Sequence, residues 1–235
     1  MLIDISSINK LFVFGCSFSD KIGHKHSYGE YISNQLNIDY IHEAAGCGSN
    51  NRIFRKFFNH VRHGTLNENT LVIIQWTELF RDEIWYYKKN PQDLIGYSNG
   101  VPLVESDFNG YLYKFKTESY EWYDEDIIKK IMFDKESNCY SVEYELEKFK
   151  NIEFSILNYC KLNKIPTVLM NGIYNQFNIY NKNNEFIVID YSDELQKYPR
   201  IMNDGSADNF HLSQTGMYKL GNKVINELKN KVTIT

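Results

Sequence analysis

The 235-residue chain has only four cysteines and no apolar run near the roughly 18 residues that a membrane span requires. Cys16, Cys47, Cys139 and Cys160 show neither CxxC spacing nor the density of a disulfide framework, so they read as free thiols. Leu11 to Phe14 is too short to form the core of a signal peptide. A basic surplus is also missing. The 26 Lys and Arg against 30 Asp and Glu give a formal net charge of -4, which argues against a general binder of phosphate backbones. Neither a nucleic-acid partner nor a membrane partner is expected, and the default location is the cytoplasm. Carriage on a phage particle or release by lysis would leave the same composition. The oligomeric state is not legible. What is present, 43% hydrophobic and 15% aromatic residues, suffices for a substantial core and excludes a disordered chain.

The apolar residues fall into alternating strand and helix patterns. Lys10 to Gly15 (KLFVFG) is a short apolar run ending in glycine, suited to a buried parallel strand that feeds a tight turn. Ser27 and Glu30 have capping-box spacing ahead of a helical face formed by Tyr31, Ile32 and Leu36. Ile38 to His42 is strand-like; the small-residue loop AAGCGSNN then precedes a helix marked by Ile53, Phe54, Phe57, Phe58 and Val61. Thr70 to Trp76 is the clearest buried strand. A helix through Phe149, Ile152, Ile156 and Cys160 leads to a strand over Pro166 to Met170, with a fifth at Glu185 to Asp190. Ser213 caps a closing helix with Met217, Leu220, Val224 and Leu228 on one face. Such alternation predicts one α/β domain over residues 1–235, a three-layer α/β/α sandwich with a mostly parallel, flavodoxin-like sheet. An aromatic-rich insertion at about 82–140, including Trp85, Tyr86, Tyr87 and Trp122, interrupts the pattern.

Open parallel sheets bind ligands beyond the carboxyl ends of their strands, so the loops after the first three strands are expected to converge. They carry Gly15-Cys16-Ser17-Phe18-Ser19-Asp20, then Gly46-Cys47-Gly48-Ser49-Asn50, then Trp76-Thr77-Glu78 followed by Arg81. Asp208-Asn209-Phe210-His211 lies far downstream, in an expected loop before the last helix. A serine hydroxyl needs a base to take its proton, and a histidine base works best when a carboxylate fixes its tautomer. Ser17, His211 and Asp208 supply that set, although Ser17 could be a plain loop serine and His211 a cap near Ser213. Trp76 could simply pack the strand end, Asn50 could cap the following helix, and Arg81 could bind an anion or pair with Asp82 or Glu83.

Other signals are weaker. The Gly46-x-Gly48 pair lacks the third glycine and acidic partner of a dinucleotide site. His24 and His26 have no carboxylate cluster or CxxC to complete a metal site, His60 and His63 read as one exposed helix face, and Glu143 to Lys150 reads as a solvated one.

GCSFSD resembles the first block of the SGNH/GDSL hydrolases, and DNFH resembles their closing Asp-x-x-His block. The FVFGCSFS form, with a GSNNRI-like second loop and a WT…R third block, is similar to divergent bacterial and phage members. The resemblance implies a serine hydrolase acting on ester bonds, with Ser17 as nucleophile, Asp208 and His211 completing a catalytic triad, and no metal or other cofactor. It also implies an oxyanion hole built from the Ser17 amide and a glycine amide of the second block, Gly48 or Gly46. Cys16 replaces the usual Asp, and QWTE lacks the asparagine of the usual Gly-x-Asn-Asp. A side-chain donor would therefore come from Thr77, Gln75 or Asn50. Trp76 and Arg81 are candidate substrate-binding residues. The expected substrate is a small-molecule or carbohydrate ester, with acetyl esters among the candidates. The altered third block also admits a noncatalytic carbohydrate-binding or virion-associated structural module that keeps the fold.

Overall fold

The computed structural model describes residues 5–16, 19, 25–45, 48–77, 81–84, 96–98, 101–103, 111–114, 142–171, 186–201, 205 and 207–232. At 81–84, 96–98, 101–103, 111–114, 142, 171, 208–210 and 231–232, the description is of the backbone alone. Five strands form the main sheet: β1 (Lys10–Gly15), β2 (Asp39–Ala44), β3 (Thr70–Gln75), β8 (Thr167–Asn171) and β9 (Ile187–Asp190). Their spatial order is β2-β1-β3-β8-β9, and every neighbouring pair is parallel.

The apolar runs form strands because both faces of the sheet are covered. Leu11, Val13, Leu71, Ile73, Val168 and Met170 enter one core with α1 (Tyr28–Leu36) and α5 (Gln214–Val232). Phe12, Phe14, Val72, Ile74 and Leu169 enter the other with α2 (Asn50–Arg62) and α3 (Val142–Leu162). The expected α/β/α sandwich is therefore observed. Met217, Leu220, Val224 and Leu228 are all buried, as the periodicity of the last helix predicts. Full burial of a side chain such as Phe57 or Leu228 stabilises by about 1.5–3 kcal/mol. Among the described residues, no helix is long and apolar enough to cross a membrane.

The helix starts follow the sequence. Ser27 caps α1 by accepting from the Glu30 amide (3.1 Å). Ser49, rather than Asn50, caps α2 by accepting from the Arg52 amide (3.0 Å). Asn50 is thus freed for another contact.

Several expectations are corrected. Asp208 and His211 lie not in a loop but on β11 (Ala207–Leu212), antiparallel to β10 (Pro199–Ile201), with α4 (Ser192–Lys197) just before the hairpin. Short polar ribbons carry no strong hydrophobic period, which is why the pattern missed this one. His60 is not exposed: its Nε2 lies 2.7 Å from a Glu43 carboxylate oxygen, and its Nδ1 lies 2.9 Å from Thr65 Oγ1. Burial raises the Glu43 pKa, but the His60 hydrogen bond and the charges of Lys56, His60 and Arg52 outweigh it, leaving the carboxyl below its ordinary range. On α3, Glu145 is buried while Glu143 is exposed, so that helix face is only partly solvated. Cys16 and Cys160 are free and buried; Cys47 and Cys139 lie outside the described residues.

The segment read as an insertion carries β4 (Arg81–Ile84) paired antiparallel with β7 (Tyr111–Lys114), and β5 (Gly96–Ser98) paired with β6 (Val101–Leu103). Backbone contacts bring β4 against α2. Trp85, Tyr86, Tyr87 and Trp122 lie outside the described residues.

Glu153 on α3 is 3% exposed, and its Oε2 has no hydrogen-bond partner among the described residues. Burial pushes its carboxyl from 4.5 up to about 8. The folded state therefore holds a proton that the unfolded chain releases, so stability falls as pH rises from 4.5 toward 8. Glu153→Gln should flatten this dependence and raise stability at pH 8 by on the order of 2–4 kcal/mol, with little change at pH 4.5. Denaturant unfolding at the two pH values checks this; an equal effect at both would contradict it.

Candidate active site

The strand order reverses at β1, whose neighbours are β2 on one side and β3 on the other. The loops after β1 and β3 consequently meet at the carboxyl edge, where an open sheet offers a ligand crevice. Ser19 sits there, fully buried, and its amide donates to the Cys16 carbonyl at 3.0 Å. This bond pins together the residues flanking Ser17 and Phe18, which themselves lie outside the described residues.

The Ser19 hydroxyl belongs to a buried chain of four side chains. Tyr28 Oη is 2.7 Å from Ser19 Oγ, Ser19 Oγ is bonded to Gln75 Oε1, and Gln75 Nε2 to Tyr191 Oη. The proton order follows from the carboxamide. Its oxygen can only accept, so Ser19 donates to it and Tyr28 donates to Ser19; its nitrogen donates to Tyr191. Burial pushes both tyrosines well above their ordinary pKa, keeping the phenols neutral and the order fixed. Gly15 belongs to the same arrangement, since a Cβ there would lie 2.6 Å from Ser19 Oγ and 3.2 Å from Gln75 Cβ.

The second loop is equally tight. The Gly48 amide donates to the Ala45 carbonyl (3.0 Å), and a Gly48 Cβ would meet the carbonyl oxygens of Gly15 at 3.1 Å and Ala45 at 3.2 Å. Both obstacles are main chain and cannot swing aside. Gly46 lies outside the described residues.

In the third loop, Trp76 is 8% exposed and its ring meets Phe149 edge-on at 5.3 Å, so it packs the strand end as one reading expected. Thr77 is fully buried, and its Oγ1 has no hydrogen-bond partner among the described residues. Asn50 accepts from the Thr77 amide (3.0 Å) and donates to the Thr77 carbonyl (3.2 Å). Of the three side chains considered as extra donors, Gln75 and Asn50 are thus already engaged. Arg81 is described only as β4 backbone, opposite Lys114.

Residues 208 and 211 would fall on opposite faces of a regular strand. The ladder jumps from Arg200 opposite Asp208 to Pro199 opposite Leu212, so three residues, 209–211, bulge from it. A bulge removes that constraint and re-aims side chains. Only the backbone of Asp208 is described; His211 is half-buried. Beyond it, Gln214 reaches back to the first loop. Its Oε1 accepts from the amides of Lys25 (2.8 Å) and His26 (3.2 Å), and its Nε2 donates to the His26 carbonyl (3.0 Å). Hydrophobic periodicity carries no sign of this latch or of the tyrosine-ended chain; a glutamine closing the apolar run TLVIIQ is the one available signal.

Gln75→Leu keeps much of the volume but strips partners from two buried hydroxyls, each costing about 1–3 kcal/mol when left unsatisfied. Urea unfolding should show a loss of about 2–4 kcal/mol. A loss below about 0.5 kcal/mol would mean that the chain contributes little net stability.

No family model and no curated protein matches the sequence. Solved structures do. A G-D-S-L family lipolytic protein from Desulfitobacterium hafniense shares 13% identity, with 93% of this chain and 99% of that one covered at a TM-score of 0.50. The esterase EstA from Pseudoalteromonas, in a form inhibited by monoethylphosphonate, shares 9% identity over 94% and 97% of the chains, also at 0.50. The lipase Lip_vut3 from a goat rumen metagenome shares 12% identity over 93% and 97%, again at 0.50. With its parallel β2-β1-β3-β8-β9 sheet covered on both faces, the chain has the SGNH/GDSL hydrolase-like fold.

Proposed function

We propose that the protein is a serine hydrolase acting on ester bonds, with Ser17 as nucleophile, His211 as general base and Asp208 as the carboxylate that orients His211. The observation that carries this reading is the Gln214 latch. It fastens the loop following β1, on which Ser17 lies, to the segment that carries His211 three residues earlier. The esterase and lipase activities named for two structural neighbours support the same reaction class.

In the proposed reaction, Ser17 Oγ attacks the ester carbonyl carbon while His211 takes its proton. The oxyanion is met by the Ser17 amide, by the Gly46 amide and by Thr77 Oγ1. The Gly48 amide, already donating to Ala45, shapes the loop instead. Thr77 stands in for the missing third-block asparagine because its hydroxyl is buried and has no hydrogen-bond partner among the described residues. Collapse breaks the ester C–O bond, and His211 returns the proton to the departing alcohol. Water, deprotonated by His211, then attacks the acyl carbon; collapse breaks the bond to Ser17 Oγ, His211 returns the proton to that oxygen, and the acid leaves. Small acetyl esters and acetylated carbohydrates are the proposed substrates, with the 82–140 insertion forming one wall of the cleft.

A serine-reactive fluorophosphonate followed by peptide mass spectrometry should label Ser17. Ser17→Ala should abolish turnover of aryl acetates, and Asp208→Asn should lower kcat by about 10⁴-fold in a folded protein. Absence of labelling beside a labelled control hydrolase would favour a noncatalytic carbohydrate-binding or virion-associated module instead. Replacing Trp85 and Trp122 with Ala should reduce kcat/KM for an acetylated oligosaccharide and spare a small aryl acetate, because remote contacts help only substrates that make them. Equal losses on both would assign the insertion a structural role.

A further inference from the structure

We propose that Asn50 is a positioning residue, which fixes the Thr77 hydroxyl of the third loop against the second loop; this rests on the hydrolase reading above. Asn50 is the first residue of α2 and is 4% exposed. Its carboxamide meets the main chain of Thr77 as one peptide group meets another across a ladder, accepting from N–H at 3.0 Å and donating to C=O at 3.2 Å. The orientation is unambiguous, because the Thr77 amide can only donate and its carbonyl can only accept.

The placement of this pair gives it consequence. Sheet pairing ends at Gln75 opposite Met170, so Thr77 lies beyond the last ladder partner and is held through a side chain. On the other side, Asn50 is continuous with Ser49, which caps α2, and with Gly48, which packs against the Gly15 and Ala45 carbonyls. One carboxamide therefore joins two of the three loops from which the proposed oxyanion donors come. Donors act by being in place before charge develops, and a misplacement of about 1 Å can cost about 10²-fold in rate. Charge is greatest in the transition state, so loosening the pair should depress kcat more than it raises KM.

Aspartate at this position makes the idea testable. A protonated carboxyl is the hydrogen-bonding equivalent of the carboxamide, accepting from the Thr77 amide and donating to its carbonyl. Once ionised it can only accept, and it faces the carbonyl oxygen with negative charge. Arg52, the nearby cation on the same helix, already donates to the Glu43 carbonyl at 2.6 Å. Desolvation will raise the pKa of the new carboxyl above about 3.9 and bring its titration toward neutral pH.

The test compares wild type, Asn50→Ala and Asn50→Asp with p-nitrophenyl acetate between pH 5.5 and 8.5, with folding followed by circular dichroism. Asn50→Ala should lower kcat by about 10- to 100-fold with KM within about 3-fold of wild type. The ratio of Asn50→Asp to wild-type kcat should fall reversibly by at least about 3-fold as pH rises, which a merely structural role would not produce. An Asn50→Ala kcat within about 2-fold of wild type would overturn the proposal. If Asn50→Ala does not fold, a pH-independent Asn50→Asp ratio overturns it. Should wild type itself neither turn over nor be labelled at Ser17, the hydrolase reading fails and the role of Asn50 fails with it.

Discussion

A parallel sheet bonds its strands to one another but leaves the loops at its carboxyl edge without ladder partners, and this chain holds them with carboxamides. Gln75 joins the first loop to the segment after β9 through Ser19 and Tyr191, Asn50 joins the second loop to the third, and Gln214 joins the first loop to the start of α5. A carboxamide suits the task because it donates and accepts at once and carries no charge to desolvate. Each bond contributes only about 1 kcal/mol net, yet an orphaned buried donor costs about 1–3. The amides therefore act chiefly by making other loop arrangements unfavourable.

The rest of the architecture serves this edge. Two apolar cores clamp the sheet from either side and fix where β1 and β3 end, and it is from those ends that Ser19 and Gln75 meet. Glycines keep the edge compact: Gly15 leaves room for Ser19 and Gly48 for two carbonyl oxygens. The register jump in β11 carries the backbone of His211 out of the regular ladder, three residues before Gln214 fastens the chain to the first loop.

Much of the fold is legible in the sequence because two-sided burial makes each central strand a near-continuous apolar run, and because the Ser27–Glu30 spacing satisfies a helix start by local chemistry alone. The site is only partly legible. Asn50 reads equally well as a cap until Ser49 is seen to occupy that role, and its real partner is 27 residues away. His60 reads as exposed because Glu43, 17 residues earlier, comes from another element. The β10–β11 hairpin is too short and polar to announce itself. Non-local polar pairing is the common reason: hydrophobic periodicity reports which face is buried, but not which buried polar groups find one another.

In the proposed reaction these clamps present Thr77 Oγ1 and His211 to a substrate attached at Ser17. A crystal structure of the protein phosphonylated on Ser17 tests it most directly, since the phosphonyl oxygen takes the place of the oxyanion. That oxygen is expected within about 3.1 Å of Thr77 Oγ1, with the Asn50–Thr77 pair intact and His211 beside Ser17 Oγ. An adduct whose phosphonyl oxygen points away from Thr77, or one in which His211 faces elsewhere, would contradict it.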